Sequence, residues 1–242
     1  MITPTSPPAP SIPGKTGAVI LARLDSSRLP GKGLMQVLGK PALGYVFERV
    51  RQVRGLNEVV LATSERAVDD GLEGLAREWD LPLFRGSLED VAGRVLACAR
   101  ERGYDAFLRV NGDSPFFDFH TAGQGLDIFR QGDHHVVTNV LERTYPPGMS
   151  VEVIDTLAFA HGYKRMTEPG HREHVTKFFY EHAGEYLIHN LASPDPSWAK
   201  VHLALDTAED LARMTWILEN LGKDHLDAAS EEIIDLARRF PG

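Results

Sequence analysis

The chain has 242 residues, 43% of them hydrophobic, with 26 Lys and Arg against 34 Asp and Glu for a formal charge of -8. At roughly 100–200 residues per domain, this length gives one large α/β domain or two small ones with ample core, and it excludes disorder throughout. An acidic balance without a basic block argues against nucleic acid or anionic lipid as the main partner. No apolar run nears the ~20 residues that cross a bilayer, and no signal layout opens the chain, so a cytoplasmic, soluble protein is expected.

Residues 1–15 hold Pro4, Pro7, Pro8, Pro10 and Pro13 among Ser and Thr, a composition expected to form a disordered tail. Gly14-Lys15-Thr16 lacks the earlier Gly of a P-loop and precedes the first strand, so it is set aside. From residue 17 the signals alternate. An apolar run over 18–22 reads as a strand buried on both faces, and Leu43, Val46, Phe47 and Val50 mark an amphipathic helix. Strands are expected at 59–62, 81–84 and 106–110, with helices at 67–79 and after Ser87-Leu-Glu-Asp90, which reads as a capping box. That second helix contains the lone Cys98, which rules out an internal disulfide and reads as a small buried thiol. Beyond about residue 133 the rhythm loosens: strands at 136–139, 150–154 and 185–189 surround a His-rich helix at 171–183. A strand at 201–205 then delivers Asp206 to a helix with Thr207 as N-cap and Asp210 at the capping-box position. Strands alternating with helices predict a mostly parallel sheet flanked by helices, a single domain over 16–242 with a mixed α+β section at about 134–200.

In open α/β sheets ligands bind beyond the carboxyl ends of the strands, so the residues there carry the candidate chemistry. The loop Arg23-Leu-Asp-Ser-Ser-Arg-Leu-Pro-Gly-Lys32 places cationic forks, hydroxyls and backbone N–H groups at the mouth of the first strand, as a polyphosphate requires; a solvated basic turn is the plain alternative. Asp113 and Asp206 each follow an expected strand, and together they could share a Mg²⁺. Singly, an Asx turn and a helix-start charge would explain them as well. Asn139, Arg143, Arg172, His174 and Lys177 fall in the mixed section. The cations among them suit an anionic second substrate or an ordinary solvent-facing helix, and His171 with His174 lacks further ligands at zinc spacing.

With Ala22-Arg23, Ser26-Ser-Arg-Leu-Pro-Gly-Lys32, Ala62-Thr-Ser64, Phe84-Arg-Gly-Ser-Leu-Glu-Asp90, Arg109-Val-Asn-Gly-Asp113-Ser-Pro, Ser150-Val-Glu-Val, Arg172-Glu-His-Val-Thr176 and Leu205-Asp206-Thr-Ala-Glu-Asp210 in order, the chain resembles the cytidylyltransferases. These include the CMP-ketodeoxyoctonate and CMP-sialic acid synthetases and the spore-coat-polysaccharide type, to which the match is nearest. The resemblance implies a Rossmann-like, GT-A-type fold and transfer of CMP from CTP to an acceptor. It also implies that Arg23, Ser27, Arg28 and Lys32 hold the triphosphate, with Ala22, Ala62, Thr63, Arg85 and Ser87 around base and ribose. Asp113 and Asp206 would bind Mg²⁺, Arg28, Lys32 and Asp113 would be catalytic, and the mixed section would bind a small anionic acceptor and help assemble a homodimer. Leu21 stands where this branch usually has Gln. A GT-A-type glycosyltransferase and a non-catalytic nucleotide-binding module remain alternatives; the absence of an obvious Asp-x-Asp motif counts against the first.

Overall fold

In the computed structural model, residues 6–242 are described. The sheet begins with β1 (Thr16–Leu21), whose apolar residues point alternately to two cores. Ala18 and Ile20 join one hydrophobic cluster and Val19 the other, as a strand covered by helices on both faces requires. A short hairpin, β2 (Gln36–Val37) and β3 (Lys40–Pro41), leads into α1 (Ala42–Arg51). Then come β4 (Glu58–Ser64), α2 (Gly71–Glu78), β5 (Leu83–Gly86), α3 (Val91–Glu101) and β6 (Ala106–Asn111). β1 pairs in parallel with β4 and β6, and β4 with β5, so the first half is the expected run of parallel units.

After α4 (Phe119–Phe129) come β7 (Val136–Thr138), β8 (Glu152–Asp155), α5 (Thr156–Tyr163), α6 (Pro169–Glu173), α7 (Lys177–Glu181) and β9 (Ile188–Asn190). The chain closes with α8 (Ala208–Asn220) and α9 (Ser230–Arg239). The strands of the mixed section complete the same sheet. Its order is β5-β4-β1-β6-β8-β7-β9, with β8 antiparallel to both neighbours. The architecture is thus a mostly parallel α/β sheet between helices. A third cluster, from Tyr45 and Phe116 through Trp198 to Ile233 and Ile234, packs α8 and α9 over the later loops.

Five details differ from the sequence expectations. Residues 6–15 are not loose: the Gly14 and Lys15 N–H groups donate to Asp105, and the His135 ring bonds the Pro8 carbonyl, while residues 1–5 lie outside the described residues. Asp90, not Ser87, caps α3; it accepts from the Gly93 N–H at 2.8 Å, while the Ser87 hydroxyl accepts from the Asp90 N–H. The helix expected over 67–79 begins with a separate 3-10 turn at Ala67–Asp69. The helix expected over 171–183 is two short ones broken at Val175, whose φ of +39° a β-branched residue rarely adopts. Residues 201–205 form no strand but an extended segment held by Leu203 N–H to Pro147 O and Leu205 N–H to Asp113 O, both at 2.8 Å. A lone extended segment and a sheet strand share the same apolar alternation, so only the neighbours distinguish them. Cys98 is buried, and the loss of water pushes its thiol up to about 12. Among the described residues no helix is long and apolar enough to cross a membrane.

Candidate active site

The parallel strands β1, β4 and β6 end on one side of the sheet, and a cleft of about 720 Å³ opens there. One part of its lining is the loop after β1: Ala22, Arg23, Ser26, Ser27, Arg28 and Lys32 all line it. The loop closes on itself because Gly31 takes φ +71°, a conformation that costs a side-chain-bearing residue dearly, and donates its N–H to Leu24 O at 2.7 Å. Leu24 is anchored in turn by the fully buried Asp69 carboxylate, which accepts its N–H at 2.7 Å and the Ser64 hydroxyl.

Asp113 reaches the cleft through Gly112, which carries the chain from β6 across the end of β1. A Cβ at Gly112 would stand 2.9 Å from both Leu21 O and Ala22 Cβ, so only glycine passes. Asp206 arrives by a different route. Leu205 N–H binds Asp113 O, Gly148 leaves room for Leu203 and Ala204 where a Cβ would lie 2.4 Å from Leu203 C, and the Thr207–Asp210 capping box fixes the turn into α8.

The result is a convergence from three separate segments. The Lys32 ammonium, only 13% exposed, binds Asp113 Oδ2 at 2.9 Å and Asp206 Oδ1 at 3.1 Å, and Arg28 reaches the same Asp206 oxygen at 3.0 Å. Two carboxylates bound to one ammonium are held close together, with Lys32 and Arg28 balancing their charge. Carboxylate oxygens are the hard donors that Mg²⁺ takes, and this ion commonly accepts one or two of them and completes its shell with water and phosphate oxygens. The pair fits that habit; among the described residues no set of three or more His, Cys, Asp or Glu is gathered for a metal. His171 instead binds Glu181 at 2.6 Å.

The cleft is also lined by the expected His174 and by residues not singled out as site candidates from the sequence, among them Arg109, Asn111, Leu88, Val91 and Arg94. Arg109 is ion-paired with Glu152, which is buried and also accepts from Thr176 Oγ1 at 2.6 Å and Tyr180 Oη at 2.5 Å. Burial alone would push the Glu152 carboxyl up, but the Arg109 guanidinium and the two hydroxyls outweigh it and hold it below the ordinary value. Burial likewise works to lower Arg109, yet its partner carboxylate raises it. The signal was present in the Arg109-Val-Asn and Ser150-Val-Glu-Val motifs; that both side chains meet under the cleft was not.

Other expected site residues lie elsewhere. Ala62 and Thr63 are fully buried in β4, outside the cleft lining. Arg85 donates to Ser64 O at 3.0 Å and Arg66 O at 2.9 Å and pairs with Asp70, and Ser87 is exposed beside the lining. Asn139 is fully buried outside the cleft lining, and both ends of its amide serve the backbone, at Met149 O and Val151 N–H, so its tie is structural. Arg143 lies on the surface against Ser150, and Lys177 pairs with Glu181. Arg172 stands just behind the wall, bonded to the α3 cap Asp90 at 2.7 Å and to Tyr163 at 3.0 Å. Of the expected acceptor-side residues, His174 alone lines the cleft.

Comparison with known proteins agrees with this picture. Residues 18–219 match the family described as cytidylyltransferase. The chain is 30% identical over 235 residues to the spore coat polysaccharide biosynthesis protein SpsF of Bacillus subtilis, covering 92% of this chain and 94% of that one. It is similar to the structure of a cytidylyltransferase from Leptospira borgpetersenii, with a TM-score of 0.87 and 26% identity over 94% of this chain and 95% of that one. It shares a fold with a CMP:2-keto-3-deoxy-manno-octonic acid synthetase complexed with CTP, at a TM-score of 0.62 and 19% identity over 85% and 99% of the two chains.

Proposed function

Because this chain belongs to the cytidylyltransferase family, we propose that it transfers CMP from CTP to a small anionic acceptor, a sugar acid or related precursor of surface polysaccharide, and releases pyrophosphate. The observation that carries this reading is the meeting of Lys32 and Arg28 with Asp113 and Asp206 at the strand ends. The matching family is described as cytidylyltransferase, which favours this reading over a glycosyltransferase.

An acceptor oxygen attacks the α-phosphorus of CTP; the new O–P bond forms as the bond to the bridging oxygen of pyrophosphate breaks, and the leaving electron pair stays on pyrophosphate. Such chemistry asks the protein for positioning and charge stabilisation rather than covalent work. Arg23, Ser27 and the loop N–H groups hold the triphosphate, while Lys32 and Arg28 offset the charge that grows on the departing pyrophosphate. Asp113 and Asp206 would hold a Mg²⁺, which when bound supplies further charge stabilisation and lowers the pKa of a coordinated hydroxyl. His174, which lines the cleft, is read as the partner of an acceptor carboxylate. A homodimer assembled partly through 134–200 belongs to the same reading, with Leu187 exposed beside the edge strand β9, as does a cytoplasmic location.

The test is pyrophosphate release from CTP with Mg²⁺ and a panel of keto-acid sugars. Wild-type turnover should fall ~10²-fold or more in kcat in Lys32→Ala and in Asp113→Ala, the scale on which one preorganised electrostatic contact acts. Equal rates in all three proteins would contradict the assignment.

A further inference from the structure

We propose that Arg66 is a positioning residue for the triphosphate: by occupying the Asp25 carboxylate, it leaves Arg23 free to meet the phosphates. This rests on the nucleotide lying in the cleft described above. Asp25 sits in the loop after β1 between Arg23 and Ser26, which both line the cleft, so a negative charge stands among groups that are to receive an anion. Its two oxygens face two guanidinium groups unequally. Oδ2 is ion-paired with Arg66, while Oδ1 lies 3.7 Å from Arg23 Nε, beyond hydrogen-bond reach. The Arg66 guanidinium holds the Asp25 carboxyl below its ordinary value against the opposing effect of burial, so the charge is present at neutral pH.

Arg66 comes from outside the loop, and its backbone is fixed. It stands at the start of the 3-10 turn Ala67–Asp69, its N–H donates to Ser64 Oγ at 3.3 Å, and its carbonyl accepts from Arg85 at 2.9 Å. The same short segment holds the neighbouring loop residue, since Asp69 accepts the Leu24 N–H. Consecutive loop residues are thus tied to one support, Leu24 by its backbone and Asp25 by its side chain. Arg23, just before them, is 50% exposed and makes no hydrogen bond among the described residues.

The two arginines compete for one carboxylate. A guanidinium closed on Asp25 by charge-assisted hydrogen bonds would be withdrawn from an incoming phosphate. Arg66 satisfies Asp25 from a position outside the cleft lining. Without it, Arg23 is the ion-pair partner that remains to Asp25 among the described residues. Closing that gap takes Arg23 off the phosphates, and both consequences, the lost cation and the exposed carboxylate, weaken nucleotide binding without touching the reacting atoms. The Arg66–Asp25 pair is about one-third exposed, and such a pair contributes little to folding, so its loss registers in binding rather than in stability.

Calorimetric binding of CTP with Mg²⁺, at about 0.05 M and about 0.5 M ionic strength, tests this on the full chain, with pyrophosphate release in the acceptor panel as a second readout. The variants are Arg66→Met, which keeps the stem without the charge, and the same change combined with Asp25→Asn. Arg66→Met should bind CTP at least about threefold more weakly at the lower salt, with KM for CTP raised as much and kcat within about twofold of wild type, and the defect should shrink at the higher salt. Adding Asp25→Asn should return the affinity to within about twofold of wild type, because no carboxylate then competes for Arg23. An Arg66→Met chain that fails to fold, one that binds CTP as wild type does, or a defect that neither salt nor the second substitution relieves would overturn the inference and leave nucleotide binding by the wild type intact. A wild type that binds no CTP would overturn both this inference and the function it rests on.

Discussion

Glu152 is a carboxylate almost without contact with water, and its partners come from three other elements: Arg109 on β6, Thr176 at the break between α6 and α7, and Tyr180 on α7. Glu152→Gln would leave the Arg109 charge buried and uncompensated, and a loss of ~3–5 kcal/mol in urea unfolding at pH 7 is expected. The sign of the pH dependence follows from the folded carboxyl lying below its ordinary value near 4.5. Its contribution is complete above that value and disappears as pH falls through the folded value, so wild type and variant should converge in stability only in that acid range. A gap that persists once the Glu152 carboxyl is protonated in the folded protein would show that the charge is not what holds the site. Asn139 gives a different lesson at the same scale: it looked functional and is fully buried, with each end of its amide tied to the backbone.

At the scale of elements, the site depends on where strands and helices end. Gly112 lets β6 turn against β1, and Gly112→Ala should displace Asp113; a cost of ~1–3 kcal/mol and a kcat drop of at least about tenfold are expected, read by thermal melting and pyrophosphate release. Thr207→Ala should cost ~1 kcal/mol in unfolding by removing the cap of α8. The capping box was legible because its four residues interact locally. The segment 201–205 was not, since its apolar alternation fits a strand and the backbone partners of Leu203 and Leu205, Pro147 and Asp113, lie more than 50 residues away. The helix expected over 171–183 failed for a related reason. Its break at Val175 is a strained backbone that helical periodicity gives no hint of, and it is held in place by the tertiary bonds of Thr176 and Tyr180 to Glu152.

For the molecule as a whole, binding should appear as stability. A ligand that binds only the folded chain stabilises it by RT ln(1 + [L]/Kd), about 2.7 kcal/mol at a hundredfold excess over Kd, which for a chain of this size raises Tm by roughly 5–10 °C. CTP with Mg²⁺ should produce that shift, and Asp113→Ala should shrink it while leaving the ligand-free Tm within a few degrees of wild type. An equal shift in the variant would remove Asp113 from the nucleotide site. The mixed section shows the same dependence on the whole. Its three short strands carry weak signals of their own and become part of the main sheet through pairing with β6 and with one another.

What the amino-acid order determined unaided was local: doubly buried strands from continuous apolar runs, helices from their periodicity, the α8 cap, and the cationic loop with its glycine and serines after the first strand. Motifs in a fixed order carried the family as well. Tertiary structure alone decided which charged groups face one another, because Lys32, Asp113 and Asp206 are brought together by chain crossings at Gly112 and Gly148 that no periodicity encodes. It also decided which arginine stands in the cleft, since Arg94, which lines it, and Arg85, held outside it by backbone carbonyls, look alike in the sequence.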